Sequence, residues 1–426
     1  MTNIAILTLP SSGHLNPIGA LGRELQRRGH SVTVFYSPDM ESQVQAEGLN
    51  FWSIGESDFP LGSAEKFQSQ IGRLRGLSAI QFGVEAYQRW LDVLFREAPH
   101  AFREAGIEML LVDQAEPAGG SIAEYLEIPF INICCALPSN REASIPPDFC
   151  LWEYKKSRWA NLRNRLAYWT FDWLVRPSVL KINQQRLQWK LPAYRNPDDR
   201  FSQFAQISQL TSDFDFPRRT LPECFHYSGL FLRSSSAKTP PFPYERLNGL
   251  PLVYASLGTL LNRRQDIFHC IAAACEGLDV QLAISLGRGG SVGELQKLPG
   301  NPLVVEYVPQ IELLAKAKLT ITNAGLNTVL HSLYNGVPMV AIPISADQPG
   351  NAARLRWAGA GEVIPAKRLS VTNLRSAIEQ VLTKPHYASS AMRLQESIRH
   401  SGGAARAADI VEQVIATGKT VFRNGL

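Results

Sequence analysis

Residues 307–355 read YVPQIELLAKAKLTITNAGLNTVLHSLYNGVPMVAIPISADQPGNAARL. Within this stretch LTITNA (319–324) is a short apolar run of the kind expected for a strand buried on both faces. Ala324 and Gly325 make a tight turn, and a helix starts at once after it. A helix N-terminus presents free N–H groups and the positive end of the helix dipole, so this turn suits an anion. MVAIPI (339–344) repeats the pattern, with Asp347 and Gln348 placed after the strand end.

Outward from this segment the alternation continues. LVYASLGT (252–259), VQLAISLG (280–287) and LVVEYV (303–308) read as further strands with helical segments between them. The loop SLGTL (256–260) brings Gly258 and Thr259 to a second strand end, where the two loops together suit a diphosphate. A carboxylate and an amide at Asp347 and Gln348 suit sugar hydroxyls. SLGRGGS (285–291) lacks the spacing of a dinucleotide loop, so Gly287, Gly289 and Gly290 read as a loop bordering the site.

The N-terminal half shows the same grammar. Asn3–Leu9 reads as a strand, Ser11–Asn16 as a loop, and a helix capped by Asn16 with Pro17 in its first turn follows. Ser31–Ser37, IEMLLVD (107–113) and PFINIC (129–134) read as strands, with a helix near 119–126. Periodicity disappears in RSSSAKTPPFPYERLNGLP (233–251), which reads as a linker. The fold class is therefore α/β, with two tandem Rossmann-like doubly wound domains facing a cleft. The expected boundaries are 1–232, linker 233–251, 252–400, and a helical segment 401–426 whose return to the first domain the pattern leaves open.

Composition narrows the function. The chain has 426 residues, 45% hydrophobic and 19% charged, an ordinary globular balance. A net charge of +5 is too small for a nucleic-acid footprint and is compatible with an anionic small molecule or a membrane surface. The six cysteines form no CxxC pair and no His/Cys cluster with metal spacing, so no metal is expected. The start of the chain carries no secretory pattern, and a cytoplasmic location is expected.

The segment 307–355 resembles the donor-binding signature of the UDP-glycosyltransferase family with the GT-B fold. That signature runs W/Y-x-P-Q, then T-H-x-G-x-N-S/T, then D-Q before a helix. Tyr307, Pro309, Gln310, Thr322, Gly325, Asn327, Thr328, Asp347 and Gln348 match it in order, and GHLNP (13–17) and SLGT also fit. VDQAEPAG (112–119), CALPSNRE (135–142) and FDFPRRTLPECFHYSG (214–229) are similar to the bacterial carotenoid glucosyltransferase branch. The resemblance implies a donor site of Gly258, Thr259, Tyr307, Val308, Gln310, Asn323, Gly325, Asn327, Thr328, Asp347 and Gln348. It implies an acceptor side with Glu116, Leu137 and Asn140. Two positions depart from the pattern. Asn323 stands where the family has the histidine that contacts the diphosphate, and His331 where it has an acid for the ribose hydroxyls. Both changes fall on nucleotide contacts, which leaves a TDP-sugar open beside UDP-glucose.

The same resemblance places the catalytic base at His14. The chemistry agrees, because an imidazole with a pKa of about 6.5 takes a hydroxyl proton near neutral pH. An imidazolium needs a carboxylate on its other nitrogen. Asp113, at a strand end, is the first candidate and Glu116 the rival. The expected enzyme is an inverting, metal-independent hexosyltransferase. It needs no cofactor beyond its nucleotide-sugar co-substrate, and its acceptor is a hydrophobic alcohol such as a hydroxylated carotenoid. Flavonoid, macrolide or sterol acceptors, a non-catalytic binding protein and a nucleotide-sugar epimerase stay open. Finally, 151–175 holds four of the eight tryptophans interleaved with Lys155, Lys156, Arg158, Arg163 and Arg165. That mixture suits a bilayer interface, and equally suits aromatics packed on the first domain or lining its acceptor pocket.

Overall fold

The described strands form two parallel sheets. The first holds β1 (Asn3–Leu7), β2 (Ser31–Tyr36), β3 (Asn50–Ser53), β4 (Met109–Asp113), β5 (Phe130–Cys134), β6 (Gln206–Ser208) and β7 (Phe225–Tyr227). Their order is β3-β2-β1-β4-β5-β6-β7, and β1 pairs with both β2 and β4, Ile4 lying opposite Val32 and Met109. The second holds β8 (Leu252–Ser256), β9 (Gln281–Ser285), β10 (Leu303–Val305), β11 (Ala317–Thr322), β12 (Met339–Ala341) and β13 (Gly361–Val363), in the order β10-β9-β8-β11-β12-β13. The coordinates are a computed structural model. They describe all residues except 72–73, 75–76, 233–241, 259–263, 288–297 and 424–426. Thr259, Gly289, Gly290 and the first half of the linker expected at 233–251 lie outside the described residues.

Each sheet reverses its order once, between β1 and β4 and between β8 and β11. Ligands of open parallel sheets bind beyond the carboxyl ends of the strands at such a reversal. His14, Asp113, Gly258 and Asn323 lie at or beyond the ends of these four strands, while Asp347 and Gln348 follow β12. The strands are continuous apolar runs because helices cover both faces; β4 and β5 are buried at every position.

One expectation needs correction. The first helix spans Ser12–Arg27, so His14 lies in its first turn and not in a loop. Ser11 is the extended residue that precedes it, and its carbonyl accepts from the His14 and Leu15 N–H groups at 3.0 and 2.9 Å. Pro17 is inside the helix. Proline lacks the N–H that would pair with the carbonyl four residues back, here Gly13. Asn327 of the second domain supplies the missing donor, its Nδ2 lying 3.0 Å from the Gly13 carbonyl.

The domains meet through an apolar cluster in which Leu137, Leu210 and Phe214 pack with Leu326, Leu330 and Leu355. Beside it lies a buried charge cluster. Asp215 accepts from Arg218 Nε and from Arg354 Nε of the second domain, both at 2.7 Å, and from the Tyr227 hydroxyl at 2.9 Å. Burial alone would raise the Asp215 pKa, but the two guanidinium groups hold it far below the usual carboxylate range. Gly350 closes the interface: its N–H donates to the Asp148 carbonyl at 2.7 Å, and a Cβ there would sit 2.4 Å from that oxygen.

The last segment crosses back. Gly403 adopts φ +58°, its N–H donates to the Ser228 carbonyl at 2.7 Å, and the helix Gly403–Thr417 packs Ile410, Val411 and Val414 into the first domain's core. Arg28 holds this helix through Asp409 and Glu412 at 2.6 and 2.7 Å.

Replacing Asp215 strands two buried arginines. Asp215→Ala is expected to cost at least about 3 kcal/mol, read as a lower midpoint in urea unfolding.

Candidate active site at the two sheet reversals

His14 and Asp113 come together at the first reversal. His14 Nδ1 lies 2.6 Å from Asp113 Oδ2. The carboxylate is further held by the Thr8 hydroxyl at 3.0 Å on Oδ2 and the Ala115 N–H at 3.0 Å on Oδ1. An ionised carboxylate only accepts, so Nδ1 carries the hydrogen and Nε2 keeps the free lone pair. Asp113 is 1% exposed and the His14 side chain 20%, so the pair is open only on the histidine side.

The electrostatics follow. Burial works to lower the His14 pKa; the Asp113 charge, its hydrogen bond and the more distant Asp347 outweigh burial and raise it above its ordinary value. Burial works to raise Asp113, but the interactions with His14, Ala115 and Thr8 leave it lowered. Cys135 completes a cluster with these two, the three ligand-type atoms lying within 4.8 Å of one another. Burial pushes its thiol well up, and the neighbouring Asp113 charge pushes it the same way, so it stays a neutral thiol. This neighbour was not legible in the sequence, because Cys135 is more than twenty positions from Asp113 and carries no spacing signal.

Glu116 points elsewhere. It accepts from the Tyr87 hydroxyl at 2.6 Å and the Trp90 indole at 3.2 Å, and burial lifts its pKa to about 7. It is therefore not the partner of His14, and it stands behind the cavity wall that Tyr87 forms. Leu137 and Asn140, also expected on the acceptor side, do not line the cavity either. Leu137 packs in the interdomain cluster, and Asn140 is locked between Gln114 and Gln206 at 3.0 and 2.9 Å. Their neighbours Pro138, Ser139 and Arg141 do line it. The polar pattern of 135–142 marks the right loop, but not which side chains turn inward.

That cavity has a volume of about 920 Å³ and a mainly apolar wall. Leu9, Gln114 and Ala115 border it next to the His14–Asp113 pair. The far wall comes from the helix Arg158–Gln188, through Trp169, Phe171, Trp173 and Val179. Arg200 also lines it; its guanidinium makes no hydrogen bond or ion pair among the described residues, and its Nε is buried without a partner.

At the second reversal the loops after β8 and β11 touch. Gly258 adopts φ +71°, and a Cβ there would sit 3.5 Å from Asn323 Nδ2. Asn323 is buried, and its Oδ1 accepts from the Gly325 N–H at 3.2 Å, which shapes the turn before the helix Leu326–Tyr334. Gln310 donates to Tyr254 OH and Thr328 Oγ1 at 3.4 and 3.3 Å and accepts from His331 Nδ1 at 2.8 Å. Burial pulls His331 down to about 4, so it is a neutral donor that fixes the Gln310 amide. Val308 packs its side chain into an apolar cluster, while Tyr307 is exposed. Gln348 Oε1 accepts from Ile344 and Ser345 N–H at 2.9 and 3.0 Å, and Asp347 Oδ2 from Asn351 Nδ2 at 3.0 Å. Asn327 is engaged with Gly13 and, at 3.2 Å, with Gln209.

The fold and these loops define a two-domain α/β enzyme in which a histidine–aspartate pair faces a second sheet's ligand loops. Residues 92–403 match the family described as UDP-glucoronosyl and UDP-glucosyl transferase, and the chain belongs to that family. It is a UDP-glycosyltransferase family enzyme, and the family implies a nucleotide-sugar donor. Zeaxanthin glucosyltransferases of Pantoea ananas and Pseudescherichia vulneris are each 33% identical over 425 residues, 99% of this chain and 98% and 100% of theirs. Among solved structures, the glycotransferase of kitacinnamycin superposes with a TM-score of 0.74 at 22% identity, covering 97% of this chain and 98% of that one. The glycosyltransferase VinC in complex with DTDP gives 0.69 at 16%, covering 98% and 100%. These structures share the GT-B fold.

The His14–Asp113 pair generates a pH prediction. A raised folded pKa means that the ion pair stabilises the fold below about pH 6.5. That contribution is lost as pH rises through the folded value. Base catalysis has the opposite sign, because only neutral His14 accepts a proton. The kcat/KM profile is expected to fall about tenfold per pH unit below a midpoint above 6.5. In Asp113→Asn the midpoint moves down and the plateau drops by about 10²-fold or more.

Proposed function

We propose that the protein is an inverting glucosyltransferase that moves glucose from UDP-glucose to a hydroxyl of a lipophilic acceptor, a hydroxylated carotenoid such as zeaxanthin first among them. The observation that carries the reading is the His14–Asp113 pair, with Nε2 free, beside a mainly apolar cavity of about 920 Å³. That volume is near the upper end for small-molecule sites, as a long acceptor requires. Full-length similarity to two zeaxanthin glucosyltransferases supports the acceptor.

In this mechanism His14 Nε2 takes the acceptor O–H proton while the oxygen attacks the anomeric carbon. The bond from that carbon to the diphosphate breaks, and the nucleoside diphosphate leaves. Asp113 stabilises the imidazolium as it forms. The loops of Gly258 and Asn323–Gly325 hold the departing diphosphate through backbone N–H groups at the start of the helix Leu326–Tyr334. Asp347 and Gln348 orient the sugar. Holding the charge this way makes the reaction metal-independent. We place the enzyme in the cytoplasm, with access to a membrane face where lipophilic acceptors reside.

Arg200 favours a second reading of the acceptor. A half-buried guanidinium that lies over the Phe201 ring at 4.9 Å and whose Nε has no hydrogen-bond partner suits an oxygenated molecule such as a flavonoid or macrolide carbonyl. Arg200→Leu is expected to raise KM for such acceptors and to leave a carotenoid unaffected.

Mass spectrometry of an acceptor panel with UDP-glucose and TDP-glucose tests the main reading. A hexose is expected on hydroxylated carotenoids, with UDP released only when the alcohol is present. His14→Ala is expected to lose at least about 10²-fold in turnover while calorimetry shows UDP bound as before. Absence of any nucleotide binding would leave a non-catalytic binding protein. Conversion of the sugar nucleotide without an alcohol would indicate an epimerase.

A further inference from the structure

The helix Arg158–Gln188 is 31 residues long, about 46 Å at the usual rise. Its inner side reaches the first domain through Ala160, Asn164, Ser178 and Ile182. Its outer side is apolar. Trp159, Leu162, Leu166, Trp169, Trp173 and Leu180 follow one another at steps of three, four, three, four and seven, which places them on one face. All six are 48–80% exposed. A patch of this size on a free surface marks an interaction site. It also shows that, of the aromatics in 151–175, Trp159, Trp169 and Trp173 are not packed on the first domain, whereas Trp152 lies beneath the Arg163 guanidinium at 4.2 Å.

The charge beside the stripe has one sign. Arg158, Arg165 and Arg176 fall on the same flank, at steps of seven and eleven, and none has an acidic partner among the described residues. The helix holds six basic residues and one acid, Asp172, which is engaged by Arg141. Tryptophans over an apolar stripe with a basic edge match a bilayer surface of anionic lipids. Antiparallel pairing of two copies along this face would set arginine row against arginine row. No described helix is long and apolar enough to cross a membrane, so such a helix lies on the surface.

The stripe is continuous with the cavity, since Trp169 and Trp173 belong to both and Arg176 of the basic flank also lines it. We infer that the helix Arg158–Gln188 docks the enzyme on an anionic bilayer and opens its acceptor cavity to the lipid, so that acceptors enter without crossing water. The inference rests on the lipophilic-acceptor reading above. The arginine row supplies attraction at a distance, and the apolar stripe supplies burial once contact is made.

The test is flotation of the full-length protein with vesicles of phosphatidylcholine, with and without phosphatidylglycerol. The triple variant Trp159→Ser, Arg165→Glu, Leu166→Ser is compared with the parent; none of the three residues lines the cavity. The parent is expected to float with anionic vesicles at low salt and at least tenfold less with neutral ones. The variant is expected to lose at least tenfold while keeping the parent's thermal unfolding. Failure of the parent to float, or equal flotation of a folded variant, would overturn the inference. So would a dimer in sedimentation that the same substitutions dissolve. Glucosylation of the acceptor in detergent separates the two proposals. Product without vesicle binding removes the docking alone, and vesicle binding without product removes the acceptor reading.

Discussion

The carbonyl of Gly13 has no partner within its own helix, because Pro17 carries no N–H. Asn327, more than 300 residues away, supplies the hydrogen bond at 3.0 Å. Gly13 is exposed, so the bond acts through position rather than desolvation: it ties the turn that bears His14 to the turn that bears Asn323 and Gly325. The same asparagine accepts from Gln209, whose amide also donates to the Cys135 carbonyl at 2.6 Å. The two sheet reversals are thus linked by side-chain amides on backbone carbonyls. The Arg218–Asp215–Arg354 cluster fixes the second domain's helix Gln348–Trp357 against the first, which sets Asp347 close enough to His14 to feel its charge.

Within that frame neighbouring groups are driven to different protonation states. His14 is raised, Asp113 is lowered, Cys135 stays a neutral thiol, and Glu116, a few residues from Asp113, is lifted to about 7. The two acids lie on one short loop, yet one accepts from a histidine and the other from a phenol and an indole. Divergent values in adjacent carboxyls are how a site assigns separate roles to like residues. At the second reversal the logic is neutral: burial keeps His331 uncharged, and it positions Gln310 by donating a hydrogen.

Much of this was legible in the sequence, for a physical reason. Strands covered on both faces must be apolar throughout, and nine of them announced themselves as continuous runs from Asn3–Leu7 to Met339–Ala341. Their loops carry glycines and polar residues, and the resemblance singles out His14, Gly258 and Asn323 among them, with Asp113 chosen as a carboxylate at a strand end; the structure brings His14 and Asp113 together. Gln206–Ser208 and Phe225–Tyr227 are three residues each and carry the polar Gln206, Ser208 and His226, so they form no apolar run. The first helix was expected to start near Pro17, because proline favours a first turn; here the missing hydrogen bond is made up from another domain, which no local pattern records. The resemblance implies Glu116, Leu137 and Asn140 on the acceptor side, but it marks only their loops. Which way each turns depends on partners such as Tyr87, Leu330 and Gln206.

In the proposed direct displacement, a hydroxyl deprotonated by His14 attacks the anomeric carbon from the face opposite the leaving diphosphate. The anomeric configuration of the product, read by proton NMR, tests this most directly. From an α-linked sugar nucleotide the expected product is the β-glucoside, with the large H1–H2 coupling of a trans-diaxial pair. An α-glucoside, formed with retention, would contradict the single-base mechanism assigned to His14 and Asp113.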